Sequence, residues 1–328
     1  MELRDNFGRK ITYVRLAVTD RCNLRCQYCM PASGIDLVDR KELLSFKEMY
    51  RLIRVLSELG VDKVRLTGGE PFVRKDFVNF LKSLSFNHKL KEINITTNGA
   101  LIEKYLDELI ALKINAINLS IDSLNKERFA AITRRDVFDS VWRTMEALEK
   151  SPIALKLNMV VQSGINTDEI IDFIELTKHR EMGVRFIEEM PFNGSGSREM
   201  DEIWNFDRIW NRTQKHYPEI QKLESVKSST SVNYSIPGYT GTFGIIPAYT
   251  RTICQDCNRI RITATGMLKN CLFDGGVFNL RDFIREGASD DDLKALFINT
   301  VRKKPKDGFV AEADREDNVS ESMSTIGG

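Results

Sequence analysis

Apolar and polar residues alternate along six short runs of this chain, residues 11–19, 63–67, 92–98, 116–122, 154–161 and 184–190. Each run is rich in β-branched residues, and amphipathic stretches separate them, which is the order of βα units on a parallel sheet. A strand covered on both faces reads as a continuous hydrophobic run. Here Arg15 and Thr19, Arg65 and Thr67, Asn94, Thr96 and Asn98, Asn118, Ser120 and Asp122, and Lys156 and Asn158 take every second position. Val14, Leu16, Val64, Leu66, Ile93, Ile95, Ile117, Leu119, Leu155 and Leu157 fill the alternate ones. Period two puts the two sets on opposite faces. With helices over the apolar face, the other face is expected to line a hydrated, partly basic cavity, unlike the filled interior of a closed eight-stranded barrel. The alternative is an ordinary half-exposed sheet.

The helices announce themselves by a different period. Met49, Leu52, Ile53, Leu56 and Leu59 form an i, i+3, i+4, i+7 stripe that Gly60 can cap. Further helices are expected over residues 77–84, 101–112, 138–148 and 169–178. The rhythm fades over 192–240. A second segment, about 240–305, is expected to hold two or three short strands and two helices. Residues 306–328 read as an acidic, polar tail ending in Gly327-Gly328. The fold class is therefore α/β, with a partial, six-stranded (β/α)6 barrel of the TIM type over residues 1–236, a C-terminal segment over 237–305 and a tail over 306–328.

Composition bounds the function. A chain of 328 residues with 42% apolar residues can bury a large core, and a net charge of +1 with interspersed signs gives no general attraction to nucleic acid or an anionic membrane. Neither an apolar leader nor a run of about eighteen apolar residues is present, so a cytoplasmic protein is expected. All six cysteines fall in two groups, Cys22, Cys26 and Cys29, and Cys254, Cys257 and Cys271. In a reducing compartment such clusters favour metal over disulfides. Three thiolates are one short of a closed site, so each group leaves one metal atom open to a non-protein ligand.

The first group has the spacing Cys-x-x-x-Cys-x-x-Cys with Tyr28 before the last cysteine, and Thr67-Gly-Gly-Glu-Pro71 follows one βα unit later. This pair of motifs resembles the radical S-adenosylmethionine superfamily. There, a cluster of four irons and four sulfides holds the cofactor on its open iron and cleaves it to a 5′-deoxyadenosyl radical. Cys254-x-x-Cys257, Arg259-Ile-Arg261, Cys271 and the Gly-Gly end narrow the resemblance to the GTP 3′,8-cyclase family of molybdenum cofactor biosynthesis.

The resemblance implies two four-iron, four-sulfur clusters, with the second binding guanine, and S-adenosyl-L-methionine contacts at Tyr28, Gly69, Ser120 and Met190. It implies GTP contacts at Arg15, Arg65, Thr96, Lys156, Arg259, Ile260 and Arg261, and a catalytic set of Arg15, Arg65, Lys156, Gly327 and Gly328. It implies as partners an electron donor, cyclic pyranopterin monophosphate synthase downstream and a second copy in a homodimer. Arginine suits a triphosphate, because its fork of donors is permanently charged, and no G-x-x-x-x-G-K-S/T loop is present to do that work. Gly194-x-Gly196 is too short for a dinucleotide fingerprint. Two alternatives stay open at this point: a radical enzyme acting on a peptide or another metabolite, and a zinc-stabilised binding protein that borrows a ligand such as His88.

Overall fold

A computed structural model describes residues 2–190, 203–224, 228–315 and 322–327. Gly194, Gly196, Gly328 and the acidic residues between 316 and 321 lie outside the described residues. The six alternating runs form strands at the expected places: β1 Tyr13–Ala17, β2 Lys63–Thr67, β3 Glu92–Thr97, β4 Ala116–Ser120, β5 Ala154–Val161 and β6 Gly183–Glu188. Between them lie α1 Phe46–Glu58, α2 Phe77–Ser85, α3 Leu106–Ala111, α4 Lys126–Thr133, α5 Phe138–Glu149 and α6 Ile170–Glu175. Helix α7, Phe206–His216, follows, then β7 Gln221–Lys222, β8 Val232–Ser235, β9 Thr242–Ile246, β10 Arg259–Ile262, β11 Met267–Lys269 and β12 Phe278–Asn279. The chain closes with α8 Leu280–Arg285, α9 Asp290–Arg302, α10 Gly308–Ala313 and α11 Met323–Ile326.

Helix α1 shows why these segments fold as they do. Ser45 and Glu48 form a capping box at its start, satisfying donors that the first turn leaves free. Met49, Leu52, Ile53 and Leu56 are fully buried, and Gly60, at φ +94°, ends the helix. The stripe packs on Val14, Leu16, Val64 and Leu66, none of which is exposed, in one continuous core between sheet and helices. Helix α4 escapes the sequence reading because only Phe129, Ile132 and Thr133 of its eight residues are buried. Its Asn125 cap, accepting from the Arg128 N–H at 2.8 Å, is the local signal that was available.

The sheet order is β12-β11-β10-β1-β2-β3-β4-β5-β6-β9-β8-β7. Strands β10, β1 to β6 and β9 are all parallel, with antiparallel strands at each edge. The sheet is an open barrel whose six central units are extended on both sides by strands of the C-terminal segment. That segment has four strands beyond residue 240, more than the two or three expected. They could not be counted from sequence because each is five residues or shorter. The division expected after residue 236 falls in the turn between β8 and β9. The tail also differs from expectation: instead of a polar extension it contains α10 and α11, with Ala311, Ser324, Ile326 and Gly327 buried. Asp307 caps α10, accepting from the Phe309 and Val310 N–H groups at 2.9 Å.

Candidate active site

Strand direction decides where the two cysteine groups stand. Cys22, Cys26 and Cys29 follow the C-terminal end of β1. Cys254 and Cys257 precede β10, which runs parallel to β1, so they stand at the opposite rim. Cys271 follows β11, antiparallel to β10, and returns to that same rim. A five-residue strand is about 16 Å long, and this length sets the scale between the two groups. All six sulfur-bearing residues line one cavity of about 550 Å³.

The wall between them is the polar strand face. Arg15, Arg65, Thr96, Asn118, Ser120, Lys156, Asn158, Arg259 and Arg261 all line the cavity, as do Tyr28, Gly69 and Met190. Of these strand residues Arg65 is buried, 6% exposed, and the others are half-buried, as the expected cavity-lining face requires. Strands β9 and β10 and the tail roof what six strands alone would leave open. Ile260 is the exception among the expected contacts. Its side chain is fully buried in the core on the helix side, because alternation points it away from Arg259 and Arg261.

Register lines up the cations. Arg15 is the direct neighbour of Arg261 on one side and of Arg65 on the other. Like charges placed opposite each other on adjacent strands repel. None of the three, nor Lys156, Arg185 or Arg259, is paired with a carboxylate among the described residues. Burial and then the neighbouring Arg15 and Arg259 bring Arg261 down to about 9. Burial, then Arg185 and Arg65, bring Lys156 down to about 8. Arg65 donates from Nε to the Tyr13 hydroxyl at 2.6 Å and from Nη1 to Thr96 Oγ1 at 3.4 Å. Burial would raise the Tyr13 phenol, but the Arg65 and Arg15 guanidiniums outweigh it and bring it to about 7. Several buried polar atoms of this wall have no partner, among them Arg15 Nε, Arg259 Nη1, Asn118 Oδ1 and Asn158 Oδ1. A row of unpaired cations with unsatisfied polar atoms is costly and fits a polyanionic, hydrogen-bonding ligand.

Arg185 was missed by the sequence reading. It alternates with Val184 and Phe186 in β6, the same parity signal that found the other wall residues. Its long side chain lies beside Gly244 of β9: a Cβ there would stand 3.2 Å from Arg185 Cδ and 2.6 Å from Asn233 Oδ1. Lys304 was missed because nothing local marks it. It is 3% exposed and donates to the Arg259 carbonyl at 2.9 Å and to the Asn270 carbonyl.

The residues fit clusters. The six thiols form no disulfide. Among the described residues no three Cys, His, Asp or Glu side chains converge on a single ion position, and a cluster spreads its thiolates over separate irons, so it asks for no such convergence. His88 is exposed in the loop before β3, at the other end of the strands from Cys22. Cys22 Sγ accepts from the Leu24 N–H at 3.3 Å and from Asn98 Nδ2 at 3.7 Å. Burial pushes the Cys22 thiol up to about 12 and Cys29 to about 11, so metal must displace those protons. At the other rim burial also opposes ionisation of Cys257, but Lys304 and Arg259 prevail and bring it to about 6.

Gly68 and Gly69 line the cavity and also let two stretches of backbone meet. A Cβ on Gly69 would meet the Arg21 carbonyl oxygen at 2.3 Å, and one on Gly68 the Thr19 oxygen at 2.4 Å. The Gly69 and Glu70 N–H groups donate to the Thr19 and Arg21 carbonyls at 2.8 Å. The glycines thus let the cysteine loop lie on the β2 turn. Glu70, lifted by burial to about 7, fastens the same turn to β3 by accepting from the Asn98 N–H at 2.7 Å. Tyr28 donates to Asp122 Oδ2 at 2.9 Å. The Asp122 carboxyl is lifted by burial to about 6.

The tail reaches this cavity. Met323 and Ser324 line it, Ser322 Oγ donates to the Cys29 carbonyl at 2.7 Å, and Arg261 Nη1 donates to the Gly327 carbonyl at 2.7 Å. Of the acidic stretch before it, Glu312 is paired with Arg251 at 2.7 Å.

Among the described residues no helix is long and apolar enough to cross a membrane. Residues 16–177 match the Radical SAM superfamily and residues 182–310 match Molybdenum Cofactor Synthesis C. A molybdenum cofactor biosynthesis protein of Caenorhabditis elegans is 40% identical over 320 residues, which take in 98% of this chain but 53% of that protein, so the chain spans about half the length of this relative. The GTP 3′,8-cyclase of Desulforamulus reducens is 39% identical over 326 residues, 99% of each chain. The crystal structure of Streptococcus suis SuiB bound to S-adenosylmethionine superposes with a TM-score of 0.61 over 89% of this chain and 68% of that one, at 15% identity, a likeness of fold. Two cysteine groups at opposite rims of an arginine-walled open barrel, together with 39% identity along the whole chain, place this chain in the GTP 3′,8-cyclase family of the radical S-adenosylmethionine superfamily.

Proposed function

We propose that the chain cyclises GTP to (8S)-3′,8-cyclo-7,8-dihydroguanosine 5′-triphosphate, the first step of molybdenum cofactor biosynthesis. The observation that carries this reading is the row of unpaired cations between the two cysteine groups, a wall for a triphosphate with an open metal site beyond each end. Cys22, Cys26 and Cys29 would hold one four-iron, four-sulfur cluster, and Cys254, Cys257 and Cys271 a second. When bound, the first cluster and S-adenosyl-L-methionine supply the radical that takes the hydrogen from C3′ of the ribose.

The chain's own residues orient and shield. Arg15, Arg65, Lys156, Arg185, Arg259 and Arg261 hold the triphosphate, and Thr96 adds a hydroxyl to that wall. Tyr28, Gly69, Ser120 and Met190 face the cofactor end. Held in that pose, the C3′ radical adds to C8 of guanine, and one electron and one proton complete the dihydro product. Exclusion of water matters because a carbon radical is quenched in solvent, and fixed geometry replaces a bimolecular search. An external electron donor, a homodimer, a cytoplasmic location and transfer of the product to cyclic pyranopterin monophosphate synthase complete the proposal. It is tested by anaerobic incubation of reconstituted protein with S-adenosylmethionine, a reductant and GTP. The expected outcome is 5′-deoxyadenosine together with the 3′,8-cyclised nucleotide; 5′-deoxyadenosine formed with no cyclised nucleotide in the presence of GTP would reject GTP as substrate.

A further inference from the structure

Tyr13 is a phenol set among cations. It stands on β1, 6% exposed, and lines the cavity. Parallel register puts Lys63 of β2 and Arg259 of β10 beside it, and puts Arg65 and Arg261 beside Arg15 two residues further along the same face. The Lys63 ammonium lies 5.4 Å from the ring centre and the Arg15 guanidinium carbon 6.0 Å, while Arg65 Nε donates to the hydroxyl at 2.6 Å. Basic side chains of β1, β2 and β10 thus stand around one hydroxyl, and none of them can accept a hydrogen bond. Glu92, beside Lys63 in the sheet, is paired with that lysine at 2.6 Å. No described residue accepts from the phenolic O–H. A hydroxyl ringed by positive charge, with no acceptor for its hydrogen, favours loss of the proton. Burial opposes that loss, but the Arg65 and Arg15 guanidiniums outweigh it and bring the phenol to about 7.

We propose that Tyr13 is a further substrate contact whose role reverses on binding: in the free protein its phenolate accepts from the surrounding cations, and when the nucleoside triphosphate enters, the oxygen takes a proton from solvent and donates it to a phosphate oxygen. This rests on the reading that the cation row holds the triphosphate, and it names one more residue of that same site. Before substrate arrives, a phenolate offsets the mutual repulsion of Arg15, Arg65 and their neighbours. The triphosphate brings several negative charges onto the same donors, so the phenolate becomes the like charge and the neutral phenol, which has a hydrogen to give, is favoured. One proton passes from water to the phenolate oxygen, and no bond of the substrate is made or broken. Above about pH 7, where the free phenol is ionised, binding therefore takes up a proton; well below it the phenol already holds that proton and the uptake ceases.

The test is anaerobic calorimetry of the reconstituted full chain, titrated with GTP and separately with inorganic tripolyphosphate. Buffers of different ionisation enthalpy count the protons taken up. At about pH 8 the parent is expected to take up about one proton more per ligand than Tyr13→Phe, the remainder in the variant belonging to Lys156. At about pH 6, where the phenol is protonated in both the free and the bound state, Tyr13→Phe is expected to bind either ligand about tenfold more weakly, the worth of one charge-assisted hydrogen bond. The phenyl ring keeps its place in the wall, and unchanged iron content and S-adenosylmethionine affinity report that the variant is folded. Equal proton uptake by parent and variant overturns the proposal, as does equal affinity for both ligands. A loss for GTP that tripolyphosphate does not share also overturns it, by moving the contact to the nucleoside. Binding of GTP but not of tripolyphosphate by the parent instead overturns the assignment of the triphosphate to the cation row.

Discussion

At the scale of single residues, Lys156 gives the site a pH signature. Its ammonium is brought down to about 8 by burial and by Arg185 and Arg65. A bound triphosphate favours the protonated form and raises that value. Its contribution to binding is thus fully present below about pH 8 and is lost as pH rises through the higher value of the bound state. Calorimetry should show GTP affinity falling above pH 8 in the parent and a flatter profile in Lys156→Arg, whose guanidinium stays charged. Arg185→Ala should weaken GTP by about ten- to hundredfold, since a charge-assisted hydrogen bond is worth roughly 1.5 to 3 kcal/mol; unchanged affinity would place the triphosphate elsewhere. Ile260→Val offers the converse check. Its side chain belongs to the core, so it should cost about 0.5 to 1.5 kcal/mol of stability and leave GTP affinity alone.

Elements meet through glycines and buried carboxylates rather than through strand pairing alone. Gly69→Ala would drive a Cβ to within 2.3 Å of the Arg21 carbonyl oxygen and 2.6 Å of its carbon, both backbone atoms. The β2 turn and the cysteine loop must then separate. We expect a lower iron and sulfide content confined to the first site and a loss of about 1 to 3 kcal/mol in unfolding experiments, the usual range for overpacking. The tail is a second such junction. Gly327 sits at φ +85°, and a Cβ there would stand 2.9 Å from Thr67 Cγ2 and 3.0 Å from Ala17 Cβ. Gly327→Ala should undock α11 while leaving the barrel folded. The expected result is an unchanged melting temperature, faster proteolysis of the tail and little cyclised nucleotide. Full turnover by a chain lacking residues 327–328 would show that the tail's end is dispensable.

Across the whole molecule, two rims of one barrel are expected to do separable work. Replacing Cys22, Cys26 or Cys29 by Ala should abolish reductive cleavage of S-adenosylmethionine. Replacing Cys254, Cys257 or Cys271 should leave slow cleavage and abolish GTP conversion. Separate assays of 5′-deoxyadenosine and cyclised nucleotide decide this, and equal loss of both in the second set would make that rim structural. The molecule's shape supports the division: β10 joins the sheet beside β1, so the second cysteine group is carried on the barrel's own sheet, and Arg51 Nε of α1 donates to Asp290 Oδ1 of α9 at 2.8 Å, tying the C-terminal segment to the barrel.

Sequence by itself determined the wall. Period two is a local property, so Arg15, Arg65, Thr96, Ser120, Lys156, Arg259 and Arg261 were legible from alternation or motif before any strand was paired. Cysteine spacing is equally local, because three ligands of one centre lie within eighteen residues in either group. What only the tertiary structure decided depends on partners far apart in the chain. Register across three strands, not the sequence of any one, sets Arg261, Arg15 and Arg65 abreast. Lys304 reaches the Arg259 carbonyl across 45 positions, and Ser322 reaches Cys29 across 293. Neither has a neighbour in sequence that marks it. Ile260 shows the same limit from the other side: a motif read as a string includes it, whereas the pleat that places Arg259 and Arg261 in the cavity necessarily turns Ile260 into the core.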